Sequence, residues 1–197
     1  MSRVGHVIGN GDNAVMYKPS KGFKVTCNIP PFEVANVYTT CLVDFKMMKA
    51  MTEGSVYIPG EWTLGYRPKV WMQNNPAFHM KVAQQIKGFY LELPSYVSNY
   101  TDFNCGHMAT HYTANHLQCE EIHMYGFDSI FDFNLRSCTD MYLNADRSLS
   151  NNNRLANNWR PVWGNLFNEF PNTEFIIHHE HSDIKIKLPK NVTVNTK

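Results

Sequence analysis

Three short runs carry residue types that can do chemistry at useful spacing. The first is Gly9-Asn10-Gly11-Asp12, which follows the apolar pair Val7-Ile8. Glycine has no side chain, so backbone amides in such a run can approach a ligand closely. The residue three beyond Gly11 is Ala14, so the run is not G-x-G-x-x-G, and it lacks the Lys-Ser/Thr of a P-loop. A tight turn and a phosphate cradle both fit it. The second run is Asn104-Cys105-Gly106-His107. A helix starting there would point amide donors at an anion, or would simply be a helix start. His107 and His111 stand at i and i+4, a zinc-binding spacing, but Met108 occupies the glutamate position of H-E-x-x-H. The third run is His178-His179-Glu180-His181. Alternate strand residues share a face, which pairs His179 with His181. A metal needs three or four convergent ligands, and no distant partner stands out in the sequence. A solvated strand end, and no metal, is the expectation.

Stepping outward, these runs need elements to hold them. An opening strand ends at Gly9. A second strand, Phe23–Cys27, stops at Asn28 and Pro30-Pro31. Tyr38–Val43 is β-branched and apolar, closed by Asp44, and Phe45–Met51 reads as a helix. Val56–Ile58, Lys69–Met72 and Gly88–Leu93 read as short strands, with a weak helical pattern over 73–87. A helix is expected from Gly106 to Leu117 and a strand over Glu121–Tyr125, ending in Gly126-Phe127-Asp128. Residues 132–158 are polar and Asn-rich, which suits a loop or lid. Arg160–Phe170 reads as a helix started by Pro161, followed by strands at Glu174–His178 and Ile184–Leu188. Strands alternating with helices indicate an α/β, Rossmann-like sheet of mostly parallel strands flanked by helices, with a short lid, in a single domain over 1–197. In such sheets the ligand lies beyond the carboxyl ends of the strands. Gly9, Asn10, Gly11, Asn28, Asp44, Asn104, Cys105, Gly106, Gly126, Phe127 and Asp128 all fall at expected strand ends or helix starts and should converge.

Composition narrows the partners. Eighteen Lys and Arg against 17 Asp and Glu give a net charge of +1. That argues against nucleic acid, which selects a basic excess. Only 18% of residues are charged, so neutral polar groups must supply much of the surface. Five widely spaced cysteines without a C-x-x-C pair suit free thiols in a reducing compartment. The first residues lack the apolar core of a secretory signal, and no run is long enough to span a membrane, so a cytoplasmic location is expected. Abundant aromatics are compatible with a homo-oligomer.

The order of these runs resembles the bacterial sialyltransferases of the Campylobacter type and the related motility-associated glycosyltransferases. The resemblance rests on Val7-Ile8-Gly9-Asn10-Gly11, Cys27-Asn28, Asn104-Cys105-Gly106-His107-Met108-Ala109 and Glu121–Asp128, over roughly residues 5–135. It implies a domain that binds a nucleotide sugar, of the cytidine-monophosphate type, and transfers the sugar to a glycan acceptor hydroxyl with inversion, with no cofactor and no obligatory metal. It assigns donor contacts to Asn10, Gly11, Asn28, Cys105 and Gly106, and leaves Tyr142 and Arg154 as phosphate partners from the lid. The chain departs from that pattern in three ways. Asp12-Asn13 replaces Pro-Ser, Cys105 replaces Ser, and residues 132–158 contain no His where the family keeps its base. Candidate bases are then His107, His111 or Asp128. The alternative is a non-catalytic nucleotide-binding or interaction module of the same fold.

Overall fold

The computed structural model describes residues 2–131 and 153–197. Its frame is one eight-stranded sheet: β1 (Val4–Ile8), β2 (Phe23–Cys27), β3 (Val37–Leu42), β4 (Trp62–Leu64), β5 (Ile86–Phe89), β6 (Glu121–Tyr125), β7 (Glu174–His178) and β8 (Val192–Asn195). The spatial order is β5-β4-β3-β2-β1-β6-β7-β8, and every neighbouring pair is parallel. The expected mostly parallel sheet is thus wholly parallel. The chain builds outward from β1 to one edge, then returns to pair β6 on the other side of β1. That reversal creates a switch point between β1 and β6, where a crevice opens at the carboxyl ends.

Five helices of at least seven residues cover this sheet: α1 (Phe45–Thr52), α2 (Tyr66–Asn74), α3 (Pro76–Val82), α4 (Cys105–Asn115) and α5 (Arg160–Glu169). Neighbours on a strand point to opposite faces, so Cys41 and Leu42 separate two cores. Leu42, Trp62 and Leu64 bury against Met47, Met48 and Met51 of α1 and Met72 of α2. Cys41, Val25, Val7 and Ile122 pack with Met108, Ala109 and Tyr112 of α4 and Trp163, Leu166 and Phe167 of α5. Each large aliphatic or aromatic side chain removed from water this way contributes about 1.5–3 kcal/mol. Among the described residues, no helix is long and apolar enough to cross a membrane.

Several expected elements are corrected. Lys69–Met72 belongs to helix α2, where Pro68 occupies the first turn and buries with Met72 one turn later. Val56–Ile58 is a connection without strand pairing, with Val56 and Ile58 buried and Tyr57 exposed between them, and the strand falls at Trp62–Leu64 instead. The strand expected over Gly88–Leu93 is Ile86–Phe89. Ile184, Ile186 and Leu188 do pack on the core, but as an unpaired covering segment; the last strand is Val192–Asn195. Of the expected lid, 132–152 lies outside the described residues. Leu155–Trp159 forms a π-helical turn leading directly into α5, so the end of that stretch is helical.

The backbone crossing beneath the switch point leaves no room for a Cβ at Gly9. Gly9 N–H donates to the Tyr125 carbonyl at 2.7 Å and Gly11 N–H to the Gly126 carbonyl at 3.0 Å. A Cβ on Gly9 would lie 2.8 Å from the Gly126 oxygen, whereas one on Gly164 in α5 would meet nothing within 4 Å. Gly9→Ala should therefore destabilise by about 1–3 kcal/mol, as overpacking against backbone does. Gly164→Ala should stabilise by about 0.5–1 kcal/mol through helix propensity. Urea unfolding of the two variants checks both signs.

Candidate functional site

A cleft of about 230 Å³ opens at the switch point. It is lined by Gly9, Asn10 and Gly11 after β1, Cys27 and Asn28 at the end of β2, and Asp44 after β3. Asn104, Cys105 and Gly106 at the start of α4, Gly126, Phe127, Asp128 and Ser129 after β6, and Trp163 of α5 complete it. Eleven of these residues were expected to converge from their positions at strand ends or helix starts, and they do.

Their bonding divides them by role. Asn10 Nδ2 donates to the carbonyls of Cys27 at 2.8 Å and Ile29 at 2.5 Å, tying the β1 loop to the end of β2. Asn10 is thus a brace. Asn28 takes a left-handed backbone, φ 50°, which Asn tolerates better than most residues. Its Nδ2 donates to Asn10 Oδ1 at 3.5 Å, while its Oδ1 is shielded from solvent and accepts no hydrogen bond. A buried acceptor left unpaired is costly, and a ligand N–H or O–H would satisfy it. Asn104 caps α4: its Oδ1 accepts from His107 N–H, and its own N–H donates to His107 Nδ1. In the first turn of α4, the amides of Cys105 and Gly106 have no intrahelical partner and turn the helix's positive end to the cleft.

The cysteines are structural. Cys105 Sγ donates to the Cys41 carbonyl at 2.9 Å and Cys27 Sγ to the Cys105 carbonyl at 3.8 Å. The hydrogen bond to Cys27, then burial, pushes the Cys105 thiol well up, and burial does the same to Cys41. Neither is poised as a thiolate. Cys138 lies outside the described residues.

Two carboxylates face the cleft. Asp44 is neutralised by Arg67 at 3.0 Å. Asp128 is gripped by Asn13, whose Nδ2 reaches Oδ1 at 3.0 Å and whose N–H reaches Oδ2 at 3.4 Å. Burial raises the Asp128 pKa above the ordinary carboxylate value, against the pull of those two hydrogen bonds. Among the described residues, none that lines the cleft is Lys, Arg or His.

The histidines behave differently from expectation. His107 is fully buried and outside the cleft lining. Nδ1 accepts from the Asn104 N–H, so the ring proton sits on Nε2 and donates to the Trp159 carbonyl at 3.0 Å. Burial lowers its pKa to about 3. A ring with both nitrogens committed to backbone is a helix cap, and this removes His107 as the base. His111 is likewise occupied, by Tyr90 at 2.6 Å and Glu169 at 3.0 Å. Arg154, expected on phosphate, pairs with Asp102 at 3.1 Å and does not line the cleft. Tyr142 lies outside the described residues.

His179 overturns the expected solvated strand end: it is wholly buried, its ring stacked on Phe131 at 3.7 Å and its Nε2 3.8 Å from Asp128 Oδ1. Asn13, Ser129 and Trp163 were not singled out from sequence as site residues. In the sequence Asn13 figures only in the departure from Pro-Ser, and Trp163 only within the expected helix Arg160–Phe170. Comparison with protein-family models, curated proteins and solved structures finds no match to this chain.

Burying a neutral His makes stability depend on pH. The His107 pKa falls from 6.5 unfolded to about 3 folded, so its contribution is complete above pH 6.5 and is lost as pH falls toward 3. His178, lowered to about 4 by burial and then by His123 and His6, acts in the same direction. Between pH 7.5 and 5, His107 alone should remove about 2 kcal/mol of unfolding free energy. His107→Gln can keep the cap, because Gln is a natural third-position capping residue, and should flatten that part of the profile. Denaturant titrations at the two pH values measure it.

Proposed function

We propose that this cleft binds the nucleotide portion of a nucleotide-sugar donor, of the cytidine-monophosphate type, and that the protein transfers the sugar to an acceptor hydroxyl. One observation carries the reading. The five residues to which the resemblance assigns donor contacts, Asn10, Gly11, Asn28, Cys105 and Gly106, all line one cleft at the switch point of a parallel sheet. Open α/β sheets use that position for nucleotides. The cleft volume, about 230 Å³, is at the small end for ligand sites, so it suits one moiety of the donor with the remainder projecting outward.

The roles follow from the bonding. Asn28 Oδ1 accepts a hydrogen from the bound nucleotide, and Asn10 holds Asn28 and the β1 loop in register. The first-turn amides of α4 stabilise charge on the departing phosphate. Asp128 takes the proton of the acceptor hydroxyl as its oxygen bonds to the anomeric carbon, while the bond to phosphate breaks and the nucleotide leaves with the electron pair. A carboxyl raised by burial is a stronger base than an exposed one. The rival reading, a binding module without transfer, is favoured by the absence of any His from residues 132–158.

Cytidine monophosphate at about 100 times its Kd should stabilise the protein by about 2.7 kcal/mol in thermal unfolding, and UDP, GDP and S-adenosylmethionine less. Asn28→Gly deletes the amide while keeping the positive φ, and should weaken that binding about tenfold or more. Asp128→Asn should lower sugar transfer at least a hundredfold with nucleotide affinity nearly unchanged. Binding without any turnover would support the module; no stabilisation by any nucleotide would sink both readings.

A further inference from the structure

Beyond β7 the chain turns through His179-Glu180-His181, and the fold presses this turn against the cleft. The two imidazoles lie edge to face with centroids 4.4 Å apart, and both rest on Phe131. His179, Glu180 and His181 each offer one ligand atom, and these atoms lie within 4.8 Å of one another. The group is braced rather than loose. His179 is wholly buried, and Glu180 N–H donates to Asn13 Oδ1 at 2.9 Å. His179 Nδ1 is 3.1 Å from the His181 carbonyl and 3.2 Å from the His181 N–H, so the turn holds the ring from its Nδ1 side and Nε2 lies toward Asp128. A backbone carbonyl beside the second ring nitrogen is the kind of partner a metal-ligating imidazole uses. His179 Nε2 lies 3.8 Å from Asp128 Oδ1, beyond a hydrogen bond, which places Asp128 next to the group without making it a member.

We propose that His179, Glu180 and His181 form a binding site for one divalent transition-metal ion at the rim of the cleft, with Asp128 between the ion and the bound substrate. Two imidazoles and a carboxylate suit zinc, iron(II), cobalt or nickel rather than calcium or magnesium. Three protein ligands leave positions open, as in sites that take a substrate oxygen rather than purely structural ones. The placement also bears on charge. With Asp44 paired to Arg67, Asp128 is the carboxylate a phosphate entering the cleft would meet. A divalent ion at the rim offsets that charge, beside the amides of α4. This last role rests on the nucleotide-sugar reading; the metal site itself does not.

The test uses the full chain stripped with a chelator, titrated with zinc alone by calorimetry and with cobalt alone by visible absorption. One ion per chain should bind, with a zinc Kd of about 1 μM or tighter. Glu180→Gln combined with His181→Gln, both outside the buried core, should weaken zinc at least tenfold without changing the metal-free Tm. His178→Gln should leave zinc binding unchanged, because His178 stacks on Tyr125 and bonds His123 in a separate cluster. Failure of the wild-type chain to bind zinc, or equal binding by the double variant, overturns the site. Zinc binding without any response to cytidine monophosphate would leave the site standing and remove the donor reading. Nucleotide binding to a chain that takes no zinc would do the reverse.

Discussion

The parallel pairing of β1 with β6 is the constraint on which the rest depends. Val4 to Ile8 run in register with Glu121 to Tyr125, so both strands end at the same level. Their following loops then cross, amide to carbonyl, at 2.7 and 3.0 Å. Only residues without a Cβ permit that crossing at Gly9. Gly126 adds a left-handed φ of 75°, which also favours glycine. Because the chain reverses direction across the sheet at this pair, helices lie to either side of it, and among the described residues none closes over its carboxyl end. The cleft follows from topology and close backbone approach before any polar side chain is considered.

The polar residues around the cleft then fall into two layers. Asn10, Asn13 and Asn104 spend their hydrogen bonds on the protein, fixing the β2 end, the Asp128 carboxylate and the start of α4. Asn28 and Asp128 are what these braces hold at the cleft. His107 belongs with the braces, since it closes the cap of α4 and anchors it to the turn preceding α5. An uncharged brace keeps the interior neutral, at the cost of stability in acid.

Much of this was legible in the sequence because strand ends announce themselves. Gly9-Asn10-Gly11, Asn28, Asp44 and Gly126-Phe127-Asp128 each break an apolar run, and a parallel sheet brings such breaks to one edge. The start of α4 was legible from Asn104 followed by a small, polar first turn. What failed did so for physical reasons. Apolar runs of three to five residues do not distinguish strand from helix, so Lys69–Met72 was misread. Trp62–Leu64 is too short to show a period. His107 carried the residue type of a base, but its burial against Trp159 arises from contacts 52 residues apart. His179 and Asp128 are brought together by adjacent strands, which spacing along the chain does not reveal.

The central claim is that the switch-point cleft is where a nucleotide binds. Amide resonances of the isotopically labelled chain, followed as cytidine monophosphate is added, test it most directly. The account predicts saturable shifts concentrated on Gly9–Gly11, Asn28, Cys105, Gly106 and Asp128–Ser129, abolished in the Asn28→Gly chain at the same ligand concentration. Shifts centred elsewhere on the molecule, or none at saturating nucleotide, would contradict it.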